Sequence, residues 1–478
     1  MKRYNEYHYN KALKYLKLER ENYEDCFVDE KAFTRNRKLP FLEFIKVLLI
    51  NAGTTLNQQL RIAQGIGFNR VSASAFIQQR DKLKPVFFRK LFENSLSQFN
   101  GTDLETLKGY TVLACDGSDV LIPKNPNDES CFIKCSKAGG GASLVHLNAL
   151  TVEPSGIFAD YVIEDFKKNN EIGACIEMLK RLREKHPKKK FLLTCDRGYE
   201  SCTLMMWCDK LNIKYCLRGK DVTSNGISSK FIKESSTFDI YKTFKFTRSS
   251  NVSTKKGKEQ FPDYVYVYSY TRNNNPFIPE LDHKQGRPKK GEYKGPTYYE
   301  YGFRTVRFEL PESSRHENKE SHEVLLTNLS EDEFSVDELK DLYHMRWGIE
   351  TNFRKLKYYD SAAYQHSKSK QVAINEIVTS MVFHNICVKA LIIANDKYRK
   401  TTKVKKKDSD ELELRVWKIS YADLCQTMRI YICGRDPTAT LKNIAKELQR
   451  TMICERKGRT FTRLIRHQSF IPYIYRAA

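Results

Sequence analysis

The sequence DLYHMRWGIETNFRKLKYYD occupies residues 341–360 and consists mostly of residues that favour helix, with no proline and a single glycine. Ser335 and Glu338 precede it with the spacing of a capping box, so we expect a helix to begin there. At about 100° per residue, one arc of this helix is apolar and can pack on a sheet. Its members are Leu342, Met345, Ile349, Phe353 and Leu356.

A second arc of the same helix is polar, and we call residues 341–360 the signature segment because of it. Within roughly 60° it carries a phenol, a guanidinium, a carboxylate and an ammonium group, from Tyr343, Arg346, Glu350 and Lys357. A carboxylate between cations suits a metal ion beside a phosphate backbone, although ordinary i,i+4 charge pairs give the same pattern. The spacing Y-x2-R-x3-E-x6-K, with Trp347 after the Arg, resembles the signature of bacterial insertion-sequence DDE transposases of the cut-and-paste, hairpin-forming type.

That resemblance implies two acidic residues upstream, each at the end of a buried strand. GYTVLACDG is an apolar strand that runs into Asp116, and KKKFLLTCDRG is another that runs into Asp196. The order strand, strand, strand, helix, strand, helix predicts an α/β fold with a ribonuclease-H-like sheet, whose first and fourth strands are neighbours. Asp119 and Glu200 are rival acids that fall past the strand ends, and we rank them below Asp116 and Asp196.

Asp116, Asp196 and Glu350 are the carboxylates that phosphodiester cleavage would require. Mg²⁺ is held by a few carboxylates and shares its remaining positions with phosphate and water. Two such ions about 3.5–4 Å apart activate the nucleophile, neutralise the developing charge and stabilise the leaving oxygen. We therefore expect two Mg²⁺ ions, for which Mn²⁺ can substitute, at these three catalytic and metal-binding residues.

The resemblance also implies roles for the other residues of the signature segment. Tyr343, Arg346 and Lys357 resemble the family's contacts to phosphates at the transposon end. The family's chemistry implies a homodimer that binds terminal inverted repeats in double-stranded DNA, cleaves them through a DNA hairpin and joins the ends to target DNA.

The aromatic residue that stacks a flipped base near the hairpin is often a Trp of the β-rich insertion in this family. This chain departs from that pattern, because its only tryptophans are Trp207, Trp347 and Trp417. Trp347 is therefore the candidate DNA-contacting wedge, and a residue such as Tyr299 or Tyr301 is the candidate platform.

Net charge and composition suggest a partner and a domain order. The chain has 478 residues and a formal net charge of +24, with Lys and Arg spread along its length. This indicates contact with a long polyanion, and the alternative is an ordinary protein that is unusually basic. Five segments are predicted: a helical DNA-binding domain (1–105), two parts of the ribonuclease-H-like core (106–217 and 321–395) separated by a β-rich insertion (218–320), and a helical C-terminal region suited to dimerisation (396–478).

The positions of the cysteines and the hydropathy of the chain indicate the cellular compartment in which the protein works. The 13 cysteines include no CxxC pair and lie mostly within apolar runs, which indicates a reducing environment. The longest apolar stretch, residues 377–394, is interrupted by His384, Asn385 and Lys389 and is predicted to be a buried helix and not a membrane span. We expect a cytoplasmic, nucleoid-associated protein with no membrane contact.

Two alternatives to a transposase stay open at this point. One is a domesticated DDE endonuclease that cuts DNA without strand transfer, and the other is a catalytically decayed, sequence-specific DNA-binding repressor. For the N-terminal region, the alternative to DNA recognition is a helical scaffold that contacts no bases. Inverted repeats bounded by a short direct duplication around the gene would favour the transposase.

Overall fold

A mixed sheet of ten strands is the largest element of the computed structural model. The structure describes residues 16–35, 37–99, 104–134, 140–224, 226–230, 237–267, 276–278, 296–310, 321–405, 412–433 and 441–455. The strands are β1 Thr111–Ile122, β2 Phe132–Ile133, β3 Ala142–Glu153, β4 Ile157–Asp165, β5 Phe191–Cys195, β6 Lys214–Gly219, β7 Phe238–Thr247, β8 Tyr264–Tyr266, β9 Tyr299–Glu309 and β10 His322–Thr327. The predicted α/β class is confirmed.

Strand β1 lies inside the sheet and has a different type of neighbour on each side. It pairs antiparallel with β3 along its length and parallel with β5, and β6 continues the parallel pairing. The first five residues of β1 and all of β5 are buried, as expected of continuous apolar runs covered on both faces. The predicted adjacency of these two strands, the first and fourth of the predicted order, is therefore confirmed.

The segment predicted as a β-rich insertion adds strands to this same sheet. Strand β10 pairs antiparallel with β6 and with β9, and β9 pairs antiparallel with β7. Alternation of half-buried and exposed positions along the first part of β7 matches a strand with one covered face. The described part of residues 218–320 is thus continuous with the core sheet, and the domain boundaries stay a prediction.

Helices cover the sheet and build the N-terminal region. They are α1 Phe41–Leu49, α2 Leu56–Gly65, α3 Ala73–Arg80, α4 Pro85–Leu96, α5 Glu171–Lys185, α6 Cys202–Lys210, α7 Lys255–Gln260, α8 Val336–Met345, α9 Trp347–Arg354, α10 Lys370–Tyr398, α11 Tyr421–Cys433 and α12 Leu441–Leu448. The Ser72 side chain caps α3 by accepting a hydrogen bond from the backbone N–H of Ala75. Arg80 of the same helix is buried and pairs with Glu376 of α10 at 2.9 Å, so it docks the N-terminal region on the core.

The long helix α10 passes through the interior. By length and hydropathy it resembles a membrane span, but 78% of its most apolar window is buried inside the fold. Its polar residues complete neighbouring elements: Asn385 accepts from the backbone N–H of Phe158 and donates to its carbonyl, both at 3.0 Å. The prediction of a buried helix is confirmed.

The signature segment begins as predicted but is not one continuous α-helix. Ser335 and Glu338 form the capping box. Helix α8 ends at Met345, α9 starts at Trp347, and Lys355–Tyr359 form a π-helical turn. Between α8 and α9, the backbone N–H of Arg346 bonds the carbonyl of Tyr343 at 3.1 Å, a tighter i→i+3 spacing.

Close contact with the sheet explains why residue 348 is glycine. A Cβ at Gly348 would lie 2.1 Å from the Glu153 carboxylate at the end of β3. The apolar arc buries Leu342, Ile349 and Leu356 completely. The segment is therefore held by its apolar face and by one point of backbone contact.

The prediction of a wholly helical C-terminal region is wrong. Strands β11 Lys400–Lys405, β12 Leu412–Lys418 and β13 Ile453–Glu455 form a three-stranded antiparallel sheet beside α11 and α12. The sequence LELRVWK of β12 has a period of two, which favours strand over helix. The Trp417 indole N–H donates to the Thr402 hydroxyl at 3.0 Å across the β11–β12 pair.

We expect Gly348→Ala to lower the free energy of unfolding by about 1–3 kcal/mol, because the added methyl group overlaps a buried carboxylate. Chemical denaturation of the metal-free protein measures this. Gly65→Ala is the matched control, since a Cβ there meets nothing within 4 Å and alanine favours the helix. Equal stability of the Gly348 variant and the wild type would contradict the close approach.

Candidate active site

Parallel pairing between β1 and β5 brings the two candidate aspartates to one edge. The last paired residues are Cys115 and Cys195, and Asp116 and Asp196 follow them directly. Because side chains alternate along a strand, Asp116 points to the face opposite Cys115. Asp196 lies past the end of β5 as predicted, but Asp116 does not end its strand, because β1 continues to pair with β3 as far as Ile122.

The environment of Asp116 disfavours its charged form. Burial and the nearby charge of Asp196 raise the pKa of Asp116 to about 7, against the opposing effects of the Gly117 N–H and of Arg346. The Gly117 N–H donates to Asp116 at 2.8 Å. The Asp196 carboxylate accepts from the Gly198 N–H at 2.8 Å, which caps a short 3₁₀ turn. Both acids are therefore fixed by adjacent backbone amides.

Arg346 connects the third candidate acid to the first. One guanidinium nitrogen lies 3.1 Å from Glu350 and the other 3.9 Å from Asp116. The residue is only 4% exposed, and its Nε has no hydrogen-bond partner among the described residues. The buried guanidinium thus links Glu350 to Asp116, and Asp116 in turn lies close enough to Asp196 for their charges to interact. The spacing of the sequence predicts a phosphate contact for this same Arg.

The other residues of the signature segment lie around this cluster in different environments. Tyr343 is buried, which raises its pKa, and its hydroxyl has no hydrogen-bond partner within the described part of the chain. The Lys357 ammonium donates to the Ser118 hydroxyl at 2.7 Å, and burial lowers its pKa. Trp347 is 44% exposed, and the Arg346 guanidinium carbon lies 4.9 Å from its ring centroid. Their contacts to DNA stay predictions.

Both rival acids have other partners. Asp119 is an odd number of residues from Asp116 and so faces the other side of β1, where it contacts His146 at 2.7 Å. Glu200 accepts backbone N–H groups of Lys220 and Ile227 at 2.7 and 2.5 Å, and it holds the loop after β6. Their ranking below the chosen acids is consistent with this geometry.

Sequence reasoning missed a buried histidine on the opposite face of β1. The two nitrogens of His146 lie 2.7 Å from Asp119 and 3.0 Å from Glu171. Although burial opposes it, these carboxylates raise the pKa of His146 to about 9. A Cβ at Gly117 would lie 2.3 Å from His146, so glycine is required beside Asp116. The available signal was a His within β3, a strand that is mostly apolar and buried along its whole length.

Comparison with known proteins places this arrangement in a family. A family model described as a transposase DDE domain matches residues 107–386, more than half of the chain. The chain belongs to the DDE transposase family. The matched region contains Asp116, Asp196 and Glu350 together with the whole of the signature segment.

Individual relatives resemble this DDE transposase either over a short stretch or at low sequence identity. The putative transposase InsL of insertion sequence element IS186A of Escherichia coli K12 is 34% identical over 71 residues. The transposase of insertion sequence element IS421 of Escherichia coli matches to the same extent. In both cases the match spans 15% of this chain and 18% of the relative. A solved synaptic complex of piggyBac transposase with hairpin DNA covers 94% of this chain and 87% of that one, with 10% identity and a TM-score of 0.43.

DDE transposases generally use divalent metal ions, and the residues present fit such an ion. The donor set consists of carboxylate oxygens, the ligands that hard divalent cations prefer. Burial and repulsion from Asp196 raise the pKa of Asp116 even though Arg346 is adjacent, so one positive charge does not offset both effects. A bound cation held by Asp116, Asp196 and Glu350 would relieve that repulsion.

The pKa of Asp116 predicts that this residue makes a pH-dependent contribution to the free energy of unfolding of the metal-free protein. A folded-state pKa of about 7, raised from 3.8, means that the folded state binds a proton more tightly than the unfolded state. This contribution is complete below about pH 4 and is lost as the pH rises through about 7. We expect Asp116→Asn to stabilise the metal-free protein at about pH 8 by up to about 4 kcal/mol and to have much less effect at about pH 5.

Denaturation in the presence of a chelator at both pH values measures this difference. Adding Mg²⁺ at the higher pH should stabilise the wild type more than the variant. Asp337→Asn serves as the control, because that side chain is 89% exposed. A stability difference that does not change with pH would mean that Asp116 is ionised throughout.

Proposed function

We propose that the chain is a DNA transposase that binds the terminal inverted repeats of an insertion sequence as a homodimer, cleaves the ends and joins them to target DNA. The observation that carries the proposal is the grouping of three acids within the family-matched region: Asp116 lies beside Asp196, and Arg346 links Asp116 to Glu350. The protein acts in the cytoplasm on nucleoid DNA and has no role in a membrane.

The acids are proposed to hold two Mg²⁺ ions, which Mn²⁺ can replace. When bound, such ions supply an activated water or 3′-hydroxyl and stabilise the charge on the scissile phosphate. Arg346 then loses its role as the counter-charge of Glu350 and Asp116, and its guanidinium becomes free to contact a phosphate. Lys357 and Tyr343 are the neighbouring donors on the same polar arc.

The DNA-binding surface is proposed to extend to the N-terminal region. A groove beside α2 and α3 is lined by four exposed basic residues, Arg37, Lys38, Arg61 and Arg70. Exposed cations along a groove suit the backbone of a duplex. Arg80, at the end of α3, takes no part because it is buried against Glu376.

Cleavage is proposed to pass through a hairpin on the transposon end, with Trp347 as the wedge. Its indole is the exposed aromatic group next to the acidic cluster, since it stacks on Arg346. Of the two candidate platforms, Tyr301 is buried and its hydroxyl lies 3.0 Å from that of Tyr215. Tyr299 is half-buried near Phe277 and is therefore favoured over Tyr301.

We expect Asp116→Asn, Asp196→Asn and Glu350→Gln each to reduce nicking of transposon-end DNA by at least about a thousandfold, because each loses a metal-positioning charge. The substrate is a duplex that carries the inverted repeat found beside the gene. End binding, measured by fluorescence anisotropy, should change little. The matched control is Glu177→Gln, an exposed residue of α5.

Near-normal cleavage by any one of the three variants would remove that residue from the catalytic set. A wild-type protein that cuts both ends but never joins them to a target plasmid would be an endonuclease. One that binds the repeats and cuts nothing in Mg²⁺ or Mn²⁺ would be a repressor.

We expect Trp347→Ala to nick the first strand at a normal rate but to form the hairpin at least about tenfold more slowly. Base–aromatic stacking contributes about 1–3 kcal/mol, and about 1.4 kcal/mol corresponds to a tenfold change in rate. Single-turnover assays on intact and pre-nicked ends separate the two steps. Tyr358→Ala is the control, because that aromatic residue is 61% exposed on the same segment but has no stacking contact with Arg346.

Trp347→Phe should restore part of the hairpin rate, because a phenyl ring still offers a stacking face. If nicking and hairpin formation decline equally in Trp347→Ala, and the melting temperature also decreases, the indole only supports Arg346. An abasic site at the flipped position should partly rescue the alanine variant.

A further inference from the structure

A buried group of metal-ligand side chains lies at the end of the signature segment. Asp360 follows the π-helical turn, Cys387 lies on α10, and Cys425 lies on α11. One carboxylate oxygen and the two sulfur atoms are within 4.8 Å of one another, and all three residues are buried. In the described part of the chain this is the one group of three His, Cys, Asp or Glu side chains with that geometry.

The hydrogen bonds around Asp360 bring several acceptors close together, and the Cys425 thiol, with its sulfur 3.4 Å from the carboxylate, is one of the donors. His384 Nε2 lies 3.0 Å from the Gly156 carbonyl, which can only accept, so Nε2 carries a hydrogen. In neutral imidazole the other nitrogen, Nδ1, is then an acceptor, yet it lies 2.7 Å from the Asp360 carboxylate. The Tyr421 hydroxyl lies within 3.1 Å of Nδ1 and both carboxylate oxygens but has one proton to donate.

We propose that Asp360, Cys387 and Cys425 bind a structural Zn²⁺ ion, with His384 fixing the Asp360 carboxylate. Thiolate, carboxylate and imidazole are the usual zinc ligands. A histidine whose second nitrogen bonds a backbone carbonyl, as His384 does with Gly156, is typical of the surroundings of a metal site. A cation also resolves the two facing acceptors without placing an imidazolium in the interior.

Neighbouring cations balance the charge that this site would have. Zn²⁺ with two thiolates and one carboxylate carries one net negative charge. Arg429 lies close enough to act on both thiols, and Lys355 lies close to Asp360 and Cys425. The site therefore differs in chemistry from the acidic cluster at Asp116, which contains no sulfur ligand.

The position of the ion explains what it would stabilise. Asp360 ends the segment that carries Glu350 and Lys357, whereas the two cysteines belong to α10 and α11. A bound ion would join these three elements at one point. Arg429 adds a second connection, because it donates to the Tyr359 carbonyl and to the Asn51 carbonyl of the N-terminal region.

The test uses the full chain without a polyhistidine tag or DNA. After purification without chelators, we expect about one Zn²⁺ per chain by elemental mass spectrometry. Replacement with Co²⁺ should give a thiolate-to-cobalt charge-transfer band in the near ultraviolet, which a carboxylate site cannot produce. Cys387→Ser and Cys425→Ser should each reduce the zinc content and the band at least about tenfold. Cys216→Ser, at a buried cysteine of β6, is the matched control and should leave both unchanged.

Wild-type protein with neither bound zinc nor the cobalt band would overturn the proposal and leave His384 and Asp360 as a buried hydrogen-bonded pair. Zinc that persists in both serine variants would also overturn it. The wild-type spectrum decides the question even if a variant does not fold. Asp116→Asn should retain full zinc content, so failure of the zinc site and failure of the proposed transposase activity are measured separately.

Discussion

The parallel register between β1 and β5 is the constraint on which the site depends. This register ends at Cys115 and Cys195, and an aspartate follows each of them. Two carboxylates are therefore placed side by side where the fully buried runs of the two strands end. Backbone pairing, and not any attraction between the side chains, holds them there. The hydrogen bonds of the sheet therefore offset the repulsion between the two carboxylates. The pairing of β1 with β3 continues past Asp116 and keeps that edge rigid.

Features that local periodicity and capping determine were predictable from sequence. The buried runs before Asp116 and Asp196, the capping box at Ser335 and the apolar face of the signature segment all follow from spacing alone. The adjacency of the first and fourth strands followed from the order of elements, because that order matches a ribonuclease-H-like sheet in which these two strands are neighbours. The choice of Asp116, Asp196 and Glu350 as one acidic set was implied by the resemblance of the signature segment to DDE transposases, and the predicted strand ends agreed with it.

Features set by contacts between distant segments were not predictable. Nothing near Arg346 in sequence shows that its second neighbour is Asp116, and nothing near Gly348 shows that Glu153 lies beneath it. The C-terminal sheet was not predicted because its strands are short and lie beside charged residues. The basic composition indicated an exposed helical region, although the apolar residues of β12 alternate with a period of two. The cluster around Asp360 draws on three elements separated by tens of residues, and its cysteines have no motif spacing.

The position of Arg346 relates folding to catalysis. Its guanidinium is the counter-charge between Glu350 and Asp116 when no metal ion is present, which makes the acidic cluster tolerable during folding. It is nevertheless a single charge, and the pKa of Asp116 stays near 7 beside it. The carboxylates of the site would therefore hold a divalent ion, whose charge would balance them more fully than the guanidinium does. Under the proposed function, a divalent ion held by Asp116 and Glu350 would free the Arg346 guanidinium for a phosphate, so that one residue would serve both charge balance and DNA contact.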